Sequence, residues 1–357
     1  MRAERVLGVD LGGTQCRALL ADTEGARYGA GHAQGGHPGS DPAAALAGVA
    51  GAVADALEGT LPSMVRGVVL GAAGHAAVAE PTTAQALAQV WTAAGLRCPV
   101  RVRPDCEVAF AAGTPDPNGI VLVAGTGSMA ARIADHSIAA RTGGHGWVLG
   151  DEGSGFWLGR EAVRATLRML ERGRPAGELV CRVLATVLGG VPPDSDPLRT
   201  IGKVTTWVHR KAPVGVAALA PLVCAAARIG DAEAGALLER AAGLLTDLAL
   251  ALWRTGEPVV LAGGLLTAGP LGALVSDRLR ATGARVHHSG DTAAGAAWLA
   301  TLDLRTPRSW TGDRAKAYVR LMGASQNQSL QNQSSQNQSL QNQSLQGQER
   351  STGRSPG

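Results

Sequence analysis

Two segments of this chain share one design. Gly8-Val-Asp10-Leu-Gly12-Gly13-Thr14 and Val123-Ala-Gly125-Thr126-Gly127-Ser128 each end an apolar run in a glycine turn carrying a hydroxyl residue, and each turn leads into a second apolar run. Glycines admit positive φ and let backbone N–H groups approach an anion. After each opening, strand and helix patterns alternate, which indicates α/β layers. Strands are expected over residues 5–11, 15–21, 26–32, 67–70, 100–102, 120–124, 128–133 and 259–262. Helices are expected over 42–57, 82–94, from about 105, through most of 154–254, and over 293–301. Two halves that open alike suggest a duplicated fold with a nucleotide between the lobes.

Five stretches could carry chemistry. Asp10, at the end of the first strand, can hold a hydrated Mg²⁺, which binds through few carboxylates and several waters; an ordinary Asp-Gly hairpin is the competing reading. The second stretch, Gly125 to Ala130, also fits G-x-G-x-x-A. A dinucleotide fold would need a helix directly after it and an acid about 20 residues on. Residues 129–137 are too short for that helix and Asp135 comes too early. The third stretch is Gly143-Gly144-His145-Gly146-Trp-Val-Leu-Gly150-Asp151-Glu152-Gly-Ser154-Gly155. Glycines this dense around two acids suit a polyhydroxylated ligand, whose neighbouring hydroxyls can both donate to one carboxylate. Ser154 can equally serve as a helix N-cap. The fourth is Arg103-Pro104-Asp105-Cys-Glu107, where a strand meets a helix. Its acids could cap the helix or sit where open α/β sheets place catalytic groups. The fifth is Val259-Val-Leu-Ala-Gly263-Gly264, a strand and paired glycines that could lie against an adenine ring.

Composition removes other classes. Aromatics are 3% of the 357 residues, too few for the stacking platforms of single-strand nucleic-acid binders. Only Lys203, Lys211 and Lys316 among the 33 basic residues are lysine; no basic block forms, and no lysine sits in a P-loop frame. The five cysteines include no C-x-x-C pair, so neither a disulfide framework nor a zinc site is expected. No uninterrupted apolar run of about 18 residues occurs, and the opening residues lead straight into a strand, so neither membrane span nor leader is expected. The expected location is the cytoplasm. From Gln326 a five-residue Gln-Asn-Gln-Ser-Leu repeat begins, too polar to bury a core, and disorder is expected there.

These motifs in this order resemble the sugar kinases of the actin-like ATPase superfamily, and more closely the N-acetylglucosamine kinase branch, related to the ATPase subunits of benzoyl-CoA reductase. The resemblance spans residues 5 to about 301; Gly-Asp-Glu-Gly-Ser-Gly preceded by Gly-Gly-x-Gly is its most specific element. It implies a two-lobed α/β, ribonuclease H-like, duplicated fold with a nucleotide cleft between the lobes. The N-terminal lobe would be 1–117, joined by a returning terminal helix at 293–301; the C-terminal lobe would be 118–292. Residues 302–322 would form a linker with a short helix near 313–321, and 323–357 the tail. The implied cofactors are ATP and Mg²⁺, and the partner is a small amino sugar rather than nucleic acid or membrane. A homodimer is left open.

By the same resemblance, Asp10 would hold Mg²⁺ through water. Gly12, Gly13 and Thr14 would form one phosphate loop and Gly125, Thr126, Gly127 and Ser128 the other. Gly263 and Gly264 would sit at the adenosine. Asp105 would be the base, and Gly144, His145 and Asp151 would line the sugar. The implied reaction is phosphorylation of N-acetylglucosamine at its 6-hydroxyl, with glucosamine and N-acetylmuramate as alternative acceptors. An ATPase activator of a radical dehydratase is a further alternative, and a sugar-sensing regulator a non-enzymatic one. Three departures from the family pattern, His145 with Trp147 after it, Met129, and Gly35-Gly36-His37-Pro38, all fall on the expected sugar side.

Overall fold

The computed structural model describes residues 3–304 and 313–323. The expected repeat tail and much of the expected linker lie outside the described residues. The chain divides into two compact units. The first holds residues 1–70, 76–102 and 290–357; the second holds 71–75 and 103–289.

Each unit is built on a five-stranded sheet. In the first unit β1 (Arg5–Leu11), β2 (Gln15–Asp22), β3 (Arg27–Gln34), β4 (Val65–Ala72) and β5 (Val100–Pro104) lie in the order β3-β2-β1-β4-β5. In the second unit β6 (Gly119–Ala124), β7 (Ser128–Ala134), β8 (Ser137–Gly143), β9 (Pro258–Ala262) and β10 (Arg285–His288) lie in the order β10-β9-β6-β7-β8. Read from the other end, the second order is the first one again. In both, the opening three strands form an antiparallel meander. The duplication suggested by two glycine hairpins is therefore a duplication of sheet topology.

Local sequence explains these elements. β1 and β6 are apolar almost throughout and buried on both faces, as central strands must be. β3, at a sheet edge, alternates exposed and covered positions. Helix Gly155–Arg172 starts at Ser154, whose Oγ accepts from the Trp157 amide at 3.2 Å, and ends at Gly173 in the left-handed conformation, φ 57°. Ser154 is fully buried, so the capping role accounts for it.

Helix Asp105–Ala111 counts with the second unit, so the division falls between Val102 and Arg103 rather than near residue 117. Its packing supplies the reason. Cys106, Ala109 and Phe110 share a core cluster with Val121, Ala131, Ile133 and Val260. A Cβ on Gly113 would stand 2.5 Å from the Val260 side chain.

The terminal helix Thr292–Leu304 packs on β1, and one glycine makes this contact. A Cβ on Gly8 would lie 2.1 Å from the carbonyl oxygen of Ala293 and 2.2 Å from the amide nitrogen of Ala297. The helical residues 314–323 join the same unit: Tyr318 meets Trp298 edge-on at 5.2 Å, and the Leu321 carbonyl accepts from Arg27 Nε at 2.8 Å.

Gly8→Ala must push the terminal helix off β1, an overpacking cost of about 1–3 kcal/mol or more. Gly13→Ala meets nothing within 4 Å. Thermal unfolding is expected to show a clear drop in Tm for the first variant and almost none for the second.

Candidate active site

In the first unit, β1 delivers Asp10 to the edge of the Gly12–Gly13 turn. The Gly12 amide donates to the Gln15 carbonyl at 2.9 Å, closing the turn, while Gly13 and Thr14 stay exposed. Gly35 packs beneath: its amide donates to the Thr14 carbonyl at 3.0 Å, and a Cβ there would stand 2.2 Å from the Gly12 carbonyl oxygen. Gly35 thus supports the loop, while Gly36 packs closely on Ala44 and Ala45.

The Asp10 side chain accepts a hydrogen bond from the Thr292 hydroxyl, at the start of the terminal helix. Burial pushes the Asp10 carboxyl above its ordinary value; Thr292 and Arg17 pull it down, and Asp291 adds to the rise. Asp291 is in turn paired with Arg27 at 3.2 Å and accepts from the Ala293 amide at 3.1 Å. Sequence reasoning missed Asp291 and Thr292, because an Asp-Thr pair before a helix reads as a cap. A buried carboxyl with a perturbed pKa marks a candidate functional position. Among the described residues no three acids, histidines or cysteines converge on a metal. A single carboxylate beside an exposed turn suits Mg²⁺, which keeps most of its waters.

In the second unit, β6 ends in the Gly125–Ser128 turn and β9, parallel to β6, ends in Gly263. Ligands of α/β sheets gather at such carboxyl ends. The turn is held on several sides. The Gly125 amide donates to the Gly127 carbonyl at 2.9 Å; the Gly155 amide donates to the Gly125 carbonyl at 2.8 Å; the Phe156 amide donates to the Thr126 carbonyl at 3.1 Å. Gly263, at φ 89°, comes so close to β6 that a Cβ would be 2.3 Å from the Ala124 carbonyl oxygen.

Asp151 is the junction. It is a non-glycine residue at φ 57°, the left-handed region that side chains resist. Its Oδ1 accepts from the Ser128 amide at 3.1 Å. Ser128 Oγ donates to the Glu152 carbonyl at 2.8 Å, and the Gly144 amide donates to the Ser128 carbonyl at 2.9 Å. A Cβ on Gly127 would stand 2.7 Å from Asp151 Oδ1, so a side chain there displaces the carboxylate from the Ser128 amide. The structure therefore brings Gly144 and Asp151 onto the phosphate-loop candidate through Ser128. His145 lies on the same loop and is exposed.

Asp105 opens the helix after β5, half-buried, with Oδ1 accepting from the Cys106 amide at 2.9 Å. Its neighbour Glu107 is committed to structure: Oε1 accepts from the Ile138 amide at 2.9 Å and Oε2 pairs with Arg103 at 3.2 Å. Glu107 thus braces the start of the helix against β8, and Asp105 is the half-buried acid of the motif. All five cysteines are free thiols.

Two units that repeat one strand order, each with a glycine turn at the end of its first strand, have the architecture of the actin-like ATPases. The chain belongs to the BadF/BadG/BcrA/BcrD ATPase family, matched over residues 7–300. The crystal structure of a candidate N-acetylglucosamine kinase from Chromobacterium violaceum is similar at 27% identity and TM-score 0.65, covering 83% of this chain and 99% of that one. A glucokinase from Streptomyces griseus, solved with glucose and AMPPNP, shares the fold at 21% identity and TM-score 0.50, over 84% of this chain and 98% of that one. An N-acetylmuramic acid/N-acetylglucosamine kinase from Clostridium acetobutylicum is 31% identical over 140 residues, 39% of this chain and 43% of that protein. An N-acetyl-D-glucosamine kinase from Dictyostelium discoideum is 28% identical over 148 residues, 41% of this chain and 44% of that protein. The chain thus matches less than half the length of these curated relatives. Among the described residues no single helix is long and apolar enough to cross a membrane.

Because burial raises the Asp10 pKa, the ionised carboxylate costs stability above its ordinary value of about 4, and the cost grows as pH rises through the folded value. Asp10→Asn is therefore expected to raise Tm at pH 7 without added Mg²⁺, with the gain fading toward pH 4. A lower Tm for the variant at pH 7 contradicts this reading of the site.

Proposed function

We propose that this chain transfers the terminal phosphoryl group of ATP to a hydroxyl of an amino sugar. N-acetylglucosamine is the first candidate acceptor and its 6-phosphate the product. The observation that carries the reading is the Asp151–Ser128 hydrogen bond, which links a glycine-rich loop suited to sugar hydroxyls with a glycine turn suited to phosphate. The names of the Chromobacterium, Clostridium and Dictyostelium relatives support the same acceptor class.

In this reading the turns Gly12-Gly13-Thr14 and Gly125-Thr126-Gly127-Ser128 hold the ATP phosphates; the Gly12, Gly125 and Ser128 amides close and brace the turns, and the remaining backbone N–H groups serve the phosphate oxygens. Gly263 and Gly264 lie at the adenosine. Mg²⁺, when bound through Asp10 and water, neutralises phosphate charge. Asp151 uses one carboxylate oxygen for the Ser128 amide and offers the other to sugar hydroxyls, with Gly144 and His145 alongside. Asp105 accepts the proton of the attacking hydroxyl as that oxygen bonds to phosphorus and ADP leaves. Phosphoryl transfer depends mainly on such positioning and charge neutralisation.

The dehydratase-activator reading needs cysteines that reach a shared interface to hold an iron–sulfur cluster. Of the five, Cys16, Cys106 and Cys224 are buried, Cys98 is half-buried, and Cys181 is exposed. That placement favours the kinase.

Coupled ADP release with Mg-ATP, measured across N-acetylglucosamine, N-acetylmuramate, glucosamine, N-acetylmannosamine and glucose, tests the proposal. Fast release with one amino sugar and almost none without sugar is expected. Equal turnover with and without every sugar contradicts it. Asp105→Asn is expected to lower kcat about 10²–10⁴-fold while nucleotide binding persists, the usual contribution of a positioned base. A wild-type rate would remove Asp105 from that role.

A further inference from the structure

The second unit also contains a cavity of about 400 Å³ that the sugar and nucleotide assignments do not use. It lies among helices Gly155–Arg172, Pro197–His209 and Pro213–Ala217. Neither Asp105, Gly144, His145 nor Asp151 lines it. Its volume falls in the range of small-molecule sites.

The walls are apolar, with Trp147, Phe156, Val163 and Val216 facing the space. Trp147 and Phe156 pack at 5.6 Å between ring centroids, and Trp147 remains 50% exposed. The rim is cationic: Arg160, Arg164 and Lys211 line the cavity beside His209, and no Asp or Glu does. The nearby carboxylate of Glu161 is shared by three guanidiniums, those of Arg160 at 3.2 Å, Arg164 at 3.0 Å and Arg240 at 3.9 Å. One acid against three arginines leaves positive charge unbalanced beside an apolar space.

We infer that this cavity is a second binding site, for an apolar organic anion such as a medium-chain fatty acid or an aryl carboxylate. The hydrocarbon part fills the Trp147–Phe156 walls and the acid group meets the arginine and lysine rim. Charge complementarity selects this occupant over a second copy of the chain. A two-fold contact through this face would bring one cationic rim against the same rim of its partner.

Occupancy of the cavity reaches the proposed active site along the backbone. Phe156, in the wall, donates its amide to the Thr126 carbonyl at 3.1 Å, and Trp147 belongs to the loop between Gly146 and Gly150. An anion seated on these rings therefore biases both the phosphate turn and the sugar loop. This coupling rests on the kinase reading, whereas binding itself does not.

The test uses the full chain without nucleotide or sugar. The probe is 1-anilinonaphthalene-8-sulfonate, followed by fluorescence and displaced by octanoate. Saturable binding is expected, with displacement by octanoate and far weaker displacement by octylammonium. Thr205→Trp, at an exposed lining position, fills the cavity, and Lys211→Glu reverses a rim charge. Each is expected to weaken octanoate binding about tenfold or more, which is about 1.4 kcal/mol, with Tm unchanged. Equal displacement by octylammonium, or octanoate binding that survives both variants, overturns the site. In the kinase assay octanoate is expected to shift the sugar KM of the wild type and not of Thr205→Trp. An unshifted KM alongside normal binding overturns the coupling alone, and absence of any kinase activity overturns the kinase reading alone.

Discussion

The hydrogen bond from the Ser128 amide to Asp151 organises the second unit. It requires Asp151 to hold a left-handed backbone, φ 57°, a conformation that costs energy for a residue with a side chain. It requires Gly127 to lack a side chain. Glu152 and Gly144 complete the clamp by bonding the hydroxyl and carbonyl of the same Ser128. The dense glycines of residues 143–155 thus let one carboxylate reach a turn more than 20 residues earlier in the chain. Strain of this kind persists when the surrounding structure over-determines it, and it gathers where ligands bind.

The first unit bears a comparable cost in a different form. Asp10 is buried enough for its carboxyl to be raised, with Asp291 nearby to raise it further. Stability alone would favour an uncharged side chain. The Thr292 hydroxyl and the Arg17 charge offset part of the penalty, and the proposed Mg²⁺ would offset more. The terminal helix can supply Thr292 because Gly8 lets it lie directly on β1. A contact that looks like packing therefore also sets the electrostatics of the candidate metal site.

Much of this was legible in the sequence. The apolar runs that became β1, β6 and β9 are continuous, and glycine turns mark their ends. The helix at 293–301 and the helix start at Asp105 were also readable. β8 was missed because Ser137-Ile-Ala-Ala-Arg-Thr-Gly143 is an edge strand with little apolar content, stabilised by pairing with β7. β10 was missed for a similar reason: Arg285-Val-His-His288 is short and polar and gains its strand form from β9. At the site, glycine loops and acids were visible, but the partners that tune them were not. Thr292 and Asp291 lie far from Asp10 in sequence, and Trp147 joins Phe156 only after the loop folds. Long-range contacts of this kind leave no periodic trace.

Asp151 joins the proposed sugar loop to the proposed phosphate turn, and calorimetry tests that role directly. The affinity of AMPPNP is measured with and without saturating N-acetylglucosamine, for the wild type and for Asp151→Ala, which removes the acceptor of the Ser128 amide. Binding free energies couple reciprocally, so a shared Asp151 makes sugar tighten the nucleotide analogue in the wild type, with that gain lost in the variant. Identical analogue affinity with and without sugar in the wild type, or an undiminished gain in Asp151→Ala, would contradict it.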